Sequence, residues 1–394
     1  MLHRPLGRTG LAVSQLGFGA MRLPMVGEGD AARVNRELAI PMIHRAFAAG
    51  VNYIDTAVGY CKADSQRAVG DALKGWRGRG REKVIVSTKN PYYGTDEKEW
   101  WKNLTDSLER LQVDCIDIYN HHGVRWAKYE EFVAPVMSRW MLKAKDQGLI
   151  KHICCSFHDS PDALRKVVDT GYVESITLQY NLLDRSLEDG IAYAHQRGIG
   201  VVVMGPVGGG RLGADSETLA QLVPGIQRVP ELALRFVLSN QNVSMALSGM
   251  STMQQVEENL ATAEDATPLS EEDKKAIDEH LARLAKLADL YCTGCGYCLP
   301  CPKEINIPHL FRIYNHAKIY GLWDHARKAY RSIQRGPIPK KRSAAADACS
   351  DCGACETKCP QNLPVRKQLQ ELHEALADKT LTPSPAPKDA PHAH

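Results

Sequence analysis

One-sided charge and long uncharged apolar runs are both scarce in this chain. Its 394 residues carry 49 Lys and Arg against 46 Asp and Glu, a formal net charge of +3. That balance leaves no basic footprint for a nucleic-acid partner. No stretch approaches the roughly 18 uncharged apolar residues that cross a bilayer as a helix, so no membrane span is expected. Met1-Leu2-His3-Arg4-Pro5 has no apolar run behind its charge, which speaks against a secretory or twin-arginine signal and for a cytoplasmic location. A Gly-rich dinucleotide fingerprint is missing too, since Gly17-Phe-Gly19 is too short to be one. No flavin fingerprint is present either.

Cysteine is plentiful. Of 12 cysteines, eight fall in two runs, Cys292-x2-Cys295-x2-Cys298-x2-Cys301-Pro302 and Cys349-x2-Cys352-x2-Cys355-x3-Cys359-Pro360. A C-x2-C-x2-C loop brings three thiolates to one face of a cluster, and a later Cys before Pro supplies a fourth. The second run has the bacterial ferredoxin spacing; the first is one residue short before its last Cys. Two 4Fe–4S clusters are the leading reading. A four-thiolate zinc site is the competitor, but zinc usually draws on two well-separated pairs. Disulfides fit a reducing cytoplasm poorly. Of the other four, Cys115, Cys154 and Cys155 are expected as small core residues, and Cys61, directly after Tyr60, as a silent neighbour of that tyrosine.

Residues 1–265 alternate strand-like apolar runs with helical patterns. Candidate strands are Gln15–Gly19, Val51–Asp55, Val84–Thr88, Ile116–Asn120, Ile150–Ser156, Ser175–Tyr180, Gly200–Met204 and Val243–Ser248. Gly50, Gly148, Gly171 and Gly198 stand where helices would stop. Eight buried strands in about 250 residues point to an α/β fold of the (β/α)8 TIM-barrel type, with an open doubly wound sheet as the runner-up. The expected organisation is a barrel over 1–268, a linking helix over 269–290, a small mostly α-helical ferredoxin-like domain over 291–379 and a disordered tail over 380–394. Helices are expected at Ile307–Tyr320 and Leu322–Arg335, with a turn at Gly336–Pro339.

An Asp, a Tyr, a Lys and a His arrive at the ends of three consecutive strands: Asp55, Tyr60 five residues on, Lys89, and the His121-His122 pair. That end of a barrel is where chemistry is built. A free Tyr titrates near ~10. An ammonium beside it favours the phenolate and pulls the value down, a carboxylate keeps the ammonium in place, and a His can polarise a carbonyl. Alone, each has an ordinary structural reading; together they suggest an acid for carbonyl reduction.

Over residues 1–265 the chain resembles the aldo/keto reductase family, through Leu6-Gly-Arg-Thr-Gly10, Asp55-x4-Tyr60, Ser-Thr-Lys89 and the strand-four His. The Cys-rich end is similar to that of a subgroup with a ferredoxin-like 4Fe–4S extension. The resemblance implies Tyr60, Lys89, Asp55 and His122 as catalytic residues, with His122 preferred over His121. It implies NAD(P)H as hydride donor and a small carbonyl compound as substrate. Ser156 and Gln179 would hold the carboxamide, although His158 stands where the family has Asn, and Met204 would cover the nicotinamide ring in place of Tyr. Gly208 and Gly210, within Gly205-Pro-Val-Gly-Gly-Gly-Arg211, would let backbone amides approach a pyrophosphate; a lid hinge is the equal alternative. After strand eight Glu258-Asn259 match, yet the positions that clamp a 2′-phosphate are Gly249 and Gln255, both uncharged. That leaves NAD, weak nicotinamide binding, or another electron route such as a flavin at the mouth.

By similarity to two-cluster ferredoxins, cluster one would use Cys292, Cys295, Cys298 and Cys359, and cluster two Cys349, Cys352, Cys355 and Cys301. Clusters move single electrons and nicotinamide moves pairs. The clusters are therefore expected to relay electrons with an external ferredoxin-like partner, or to be structural. An electron carrier whose barrel binds no nicotinamide is the alternative function.

Overall fold

In the computed structural model, the residues described are 1–80, 83–213, 216, 219, 222–265, 267–288, 292, 296–334, 343–359 and 362–378. Cys295, the Gly336–Pro339 turn and the tail over 380–394 lie outside them. The chain divides into two compact units, Met1–Gly209 with Pro230–Leu269, and Gly210–Val229 with Ser270–His394.

The first unit is a closed barrel of eight parallel strands. They are β1 (Leu16–Gly19), β2 (Tyr53–Asp55), β3 (Ile85–Asn90), β4 (Ile116–Val124), β5 (Ile150–Phe157), β6 (Ser175–Gln179), β7 (Gly200–Met204) and β8 (Met245–Gly249). Each pairs with the next, and β8 closes onto β1 through Ala246 opposite Leu16. All eight expected strands are present, and the open-sheet alternative is excluded. Gly50, Gly148, Gly171 and Gly198 take φ of 90°, 73°, 64° and 71°, the left-handed conformation that ends a helix at little cost to glycine.

Side chains alternate across a strand, so residues two or four apart share a face. Tyr53, Ile85, Ile118, Cys154, Val202 and Met245 form one buried apolar layer, closed below by Leu6 and Val13 at the N-terminal hairpin His3–Pro5 with Ala12–Ser14. Two or four residues further along the same strands stand Asp55, Lys89, His122, Ser156, Met204 and Gly249. The bottom of the barrel is thus packed, and the strand ends above it carry the chemistry.

Outside the strands, Trp100 is fully buried, meeting Tyr119 edge-on with centroids 6.1 Å apart and Trp140 at the same separation. These tryptophans pack in the helical layer, whereas Trp126 lies in the turn after β4. Cys154 and Cys155 are buried, as expected; Cys115 is only half-buried, because it precedes β4 rather than lying within it. After the helical turn Trp126–Lys128 the chain runs as a π-helix, Tyr129–Met137, before becoming α-helical over Ser138–Asp146. Pro135 inside it lacks an N–H and cannot close an α-helical bond.

The second unit is mainly helical: Glu271–Ala288, Ile307–Tyr320, Trp323–Gln334 and Val365–Leu376. Leu310, Phe311, Tyr330, Leu369 and Leu372 centre its core, and Cys292, Cys298, Cys301, Cys349, Cys355 and Cys359 pack against it. Among the described residues no helix is long and apolar enough to cross a membrane.

Candidate active site and cysteine centre

Lys89 is the pivot of the barrel mouth. Its side chain is 2% exposed and forms an ion pair with Asp55 Oδ2, while Nζ also donates to Thr56 O at 2.9 Å. Asp55 is fixed from its other side by Ser87 Oγ at 2.8 Å, and Asn120 Nδ2 donates to Ser87 Oγ at 3.2 Å. Nζ lies 4.8 Å from the centroid of the Tyr60 ring, and the His122 ring meets Tyr60 edge-on at 6.0 Å. Asp55, Lys89, Tyr60 and His122 are therefore brought together. His121 is turned the other way, fully buried, with Nε2 on Tyr172 Oη at 3.1 Å.

Tyr60 is presented by a strained turn. Cys61, Lys62 and Ala63 have φ of 50°, 54° and 66° with no glycine among them, a run that sequence pattern does not announce. Outside contacts hold it: Lys62 Nζ donates to Gly29 O, Asp64 accepts from Val34 N at 2.8 Å and pairs with Arg36, and Ser65 Oγ donates to Ala20 O at 2.8 Å.

The electrostatics correct one expectation. Burial raises the Tyr60 pKa above its ordinary value; the Lys89 ammonium does lower it, but by less than burial raises it. Burial opposes charge on Lys89, yet Asp55 and then Tyr60 raise its pKa overall, so it stays an ammonium. Burial, then the charge of Lys89, depresses His122 to about 4, leaving a neutral imidazole near neutral pH. His158 is lowered likewise, by burial and then by Arg125.

Ser156, Gln179 and Met204, among the remaining candidates, stand at the ends of the same strands. Ser156 Oγ accepts from Gly123 N at 2.8 Å. Gln179 and Met204 stand opposite each other at the ends of β6 and β7. A Cβ at Gly205 would come within 2.9 Å of Gln179 Nε2, so only glycine leaves that amide its place. Gly208 and Gly210 have φ of 60° and 94°; Gly210 begins the segment assigned to the second unit. Gln255 Oε1 accepts from Ser251 N at 2.7 Å, and Asn259 Nδ2 donates to Ser248 Oγ at 3.0 Å, so both amides fasten the loop after β8.

Sequence reasoning missed Arg22. Its stem lies where a Cβ on Gly249 would come within 3.1 Å of Cγ, and Nη2 donates to Gly209 O at 3.0 Å. A charged residue three places after β1 was the available signal, but nothing local links it to β7 and β8.

In the second unit Cys298, Cys301, Cys349, Cys352 and Cys355 line one cavity, with Ile305, Ile307 and Leu369 as its apolar wall. Five thiols from the two cysteine runs around one apolar-walled cavity are the kind of donor set that iron–sulfur clusters use.

The pattern of the aldo/keto reductase family matches residues 15–228 and 214–282. The chain belongs to the aldo/keto reductase family. A 4Fe–4S dicluster domain matches residues 291–364, so this reductase carries an iron–sulfur domain after its barrel. It is 30% identical over 313 residues to L-galactose dehydrogenase of Arabidopsis thaliana, covering 73% of this chain and 95% of that protein. It is 28% identical over 309 residues to the NADH-specific methylglyoxal reductase of Escherichia coli, covering 65% of this chain and 92% of that one. Among solved structures, the holo form of an aldo-keto reductase from Bacillus halodurans superposes with a TM-score of 0.59 at 30% identity, covering 71% of this chain and 96% of the other.

Proposed function

We propose that this reductase converts a small-molecule carbonyl to an alcohol at the barrel mouth, using NADH, with Tyr60 as the proton donor. The observation that carries the reading is the buried Lys89 ammonium held between the Asp55 carboxylate and the Tyr60 ring. Nicotinamide, when bound, supplies the hydride. Tyr60 holds a proton at Oη and releases it as the carbonyl oxygen gains charge. Lys89 offsets the phenolate left behind. Asp55 keeps Lys89 charged and in place, and neutral His122 donates an N–H to the same oxygen.

Ser156, Gln179 and Met204 would hold the nicotinamide end. Gly208 would admit the pyrophosphate, with Arg22, which donates to the neighbouring Gly209 O, supplying positive charge to it. Without a cation at Gly249 or Gln255 a 2′-phosphate dianion has no charge-assisted partner at those positions, which favours NADH. A relative is named as NADH-specific, in the same direction. In a fluorescence titration NADH should bind about ten-fold or more tightly than NADPH. Tighter NADPH binding would sink the NADH preference; binding of neither would sink hydride transfer.

For the cysteine centre the reading is two 4Fe–4S clusters with the fourth ligands exchanged. Cys298 and Cys301 both line one cavity with Cys349, Cys352 and Cys355, so thiols of the two runs meet, as exchanged ligands require. Iron–sulfur clusters supply one-electron storage, here for exchange with a ferredoxin-like partner. Anaerobic protein should contain about eight Fe per chain, and Cys301→Ser about half of that. Full iron in the variant would refute the exchange. An electron-carrier function remains the second reading, favoured by the exposed thiol of Cys352 at the cavity. If reduced clusters never reoxidise on adding aldehyde or NAD+, the relay fails.

A further inference from the structure

The turn after β4 carries two cations that the reaction as described does not use. Arg125 and Lys128 are both exposed, and neither forms an ion pair among the described residues. Lys128 is held in place: Nζ lies 4.2 Å from the Tyr93 ring centroid, and Tyr93 packs edge-on against Phe132 at 6.3 Å. Arg125 sits between Val124, the last residue of β4, and the helical turn Trp126–Lys128. The backbone there is pinned by Asp159, whose Oδ2 accepts from Trp126 N at 2.9 Å and whose Oδ1 accepts from Ser160 N at 2.8 Å. Those two backbone bonds, and more weakly the Arg125 charge, hold the Asp159 carboxyl below its ordinary value, so its oxygens are taken up by N–H groups. Glu130 and Glu131 follow on the same helical stretch, and neither pairs with Lys128.

These charges bear on the reacting centre. Lys128 rests on the Tyr93 ring, which follows β3, and Arg125 directly follows Val124, whose carbonyl accepts from His158 N at 2.9 Å, so both cations stand at the strand ends beside His122 and His158. After burial, Lys89 and then Lys128 lower the His122 pKa, and Arg125 and then Lys89 lower that of His158. Of the carboxylates at these strand ends, Asp55 is paired with Lys89, and Asp159 accepts from two backbone N–H groups. The β4 side of the mouth therefore keeps positive charge that a neutral substrate would leave unmatched. We propose that the physiological substrate is a carbonyl compound that also bears a carboxylate, bound by Arg125 and Lys128 while its carbonyl faces Tyr60 and His122. A guanidinium fork and a fixed ammonium suit the two oxygens of a carboxylate, and they would orient the carbonyl as well as attract the molecule.

The inference deepens the carbonyl-reductase reading and rests on it for turnover, but binding tests it separately. Two substrate pairs differ only in the carboxylate: 4-carboxybenzaldehyde against benzaldehyde, and succinic semialdehyde against butanal. In the holoenzyme the carboxylate member of at least one pair should show kcat/KM about 10- to 100-fold higher, the range of charge-assisted bonds. In Arg125→Ala/Lys128→Ala that ratio should collapse toward about one, whereas Arg125→Lys should retain part of it. Calorimetric titration of the same aldehydes should give the same order of affinities. If no aldehyde is turned over but the carboxylate compounds still bind selectively through Arg125 and Lys128, the reductase reading fails and the anion site stands. Equal affinities and equal kcat/KM within both pairs, or a ratio unchanged in the double variant, would overturn the proposal.

Discussion

Tyr60→Phe is expected to lower carbonyl reduction by about a thousand-fold or more, while NADH affinity changes by less than about two-fold. General acids typically contribute about 10² to 10⁴ in rate, and the Tyr60 ring touches both Lys89 and His122. Phenylalanine keeps the ring that meets His122 at 6.0 Å, so the shape of the mouth survives and only the proton is lost. Single-turnover mixing with NADH and an aldehyde measures this directly. A loss below about ten-fold would remove Tyr60 from the acid's role. The pH profile follows from the direction of the shift. Burial holds Tyr60 protonated beyond its ordinary value, so reduction should stay level through neutral pH and fall only above about 10. A basic limb centred below about 9 would mean that Lys89 outweighs burial once the site is occupied.

Lys89→Met should be the most destabilising single change in the barrel. It leaves the Asp55 carboxylate, with its side chain 3% exposed, bonded to Ser87 but without a counter-charge. Removing one partner of a buried ion pair costs about 3–5 kcal/mol, which should lower Tm by on the order of 10 °C. Reduction should vanish as well, since nothing then offsets the phenolate of Tyr60. Asp55→Asn added to Lys89→Met separates the two effects: stability should largely return, because the stranded charge is gone, while activity should not. Calorimetry on the three proteins is the check. A Lys89→Met protein as stable as the parent would show that the pair does not hold this site together.

Much of this was legible in the residues. A two-residue alternation runs through Tyr53–Asp55, Ile85–Lys89 and Ile118–His122, placing apolar side chains low in the barrel and polar ones at its rim. Even so, the pattern did not foresee the π-helical stretch around Pro135, where one missing N–H widens the helix. Nor did it foresee the left-handed run Cys61–Ala63, which carries no glycine to mark it and is held by Gly29, Val34 and Ala20 from other parts of the chain. Arg22 escaped notice because its partners, Gly209 and Gly249, are about two hundred residues away in sequence.

The sequence alone determined the strand count, the helix stops and the cysteine spacing, because each rests on contacts within a few residues, where periodicity, the freedom of glycine and ligand geometry act. Only the tertiary structure decided which histidine faces Tyr60, which way the phenol's pKa moves and where the uncompensated cations lie. Those depend on burial and on through-space charge, which sum over neighbours from every strand of the barrel and are written at no single place in the chain.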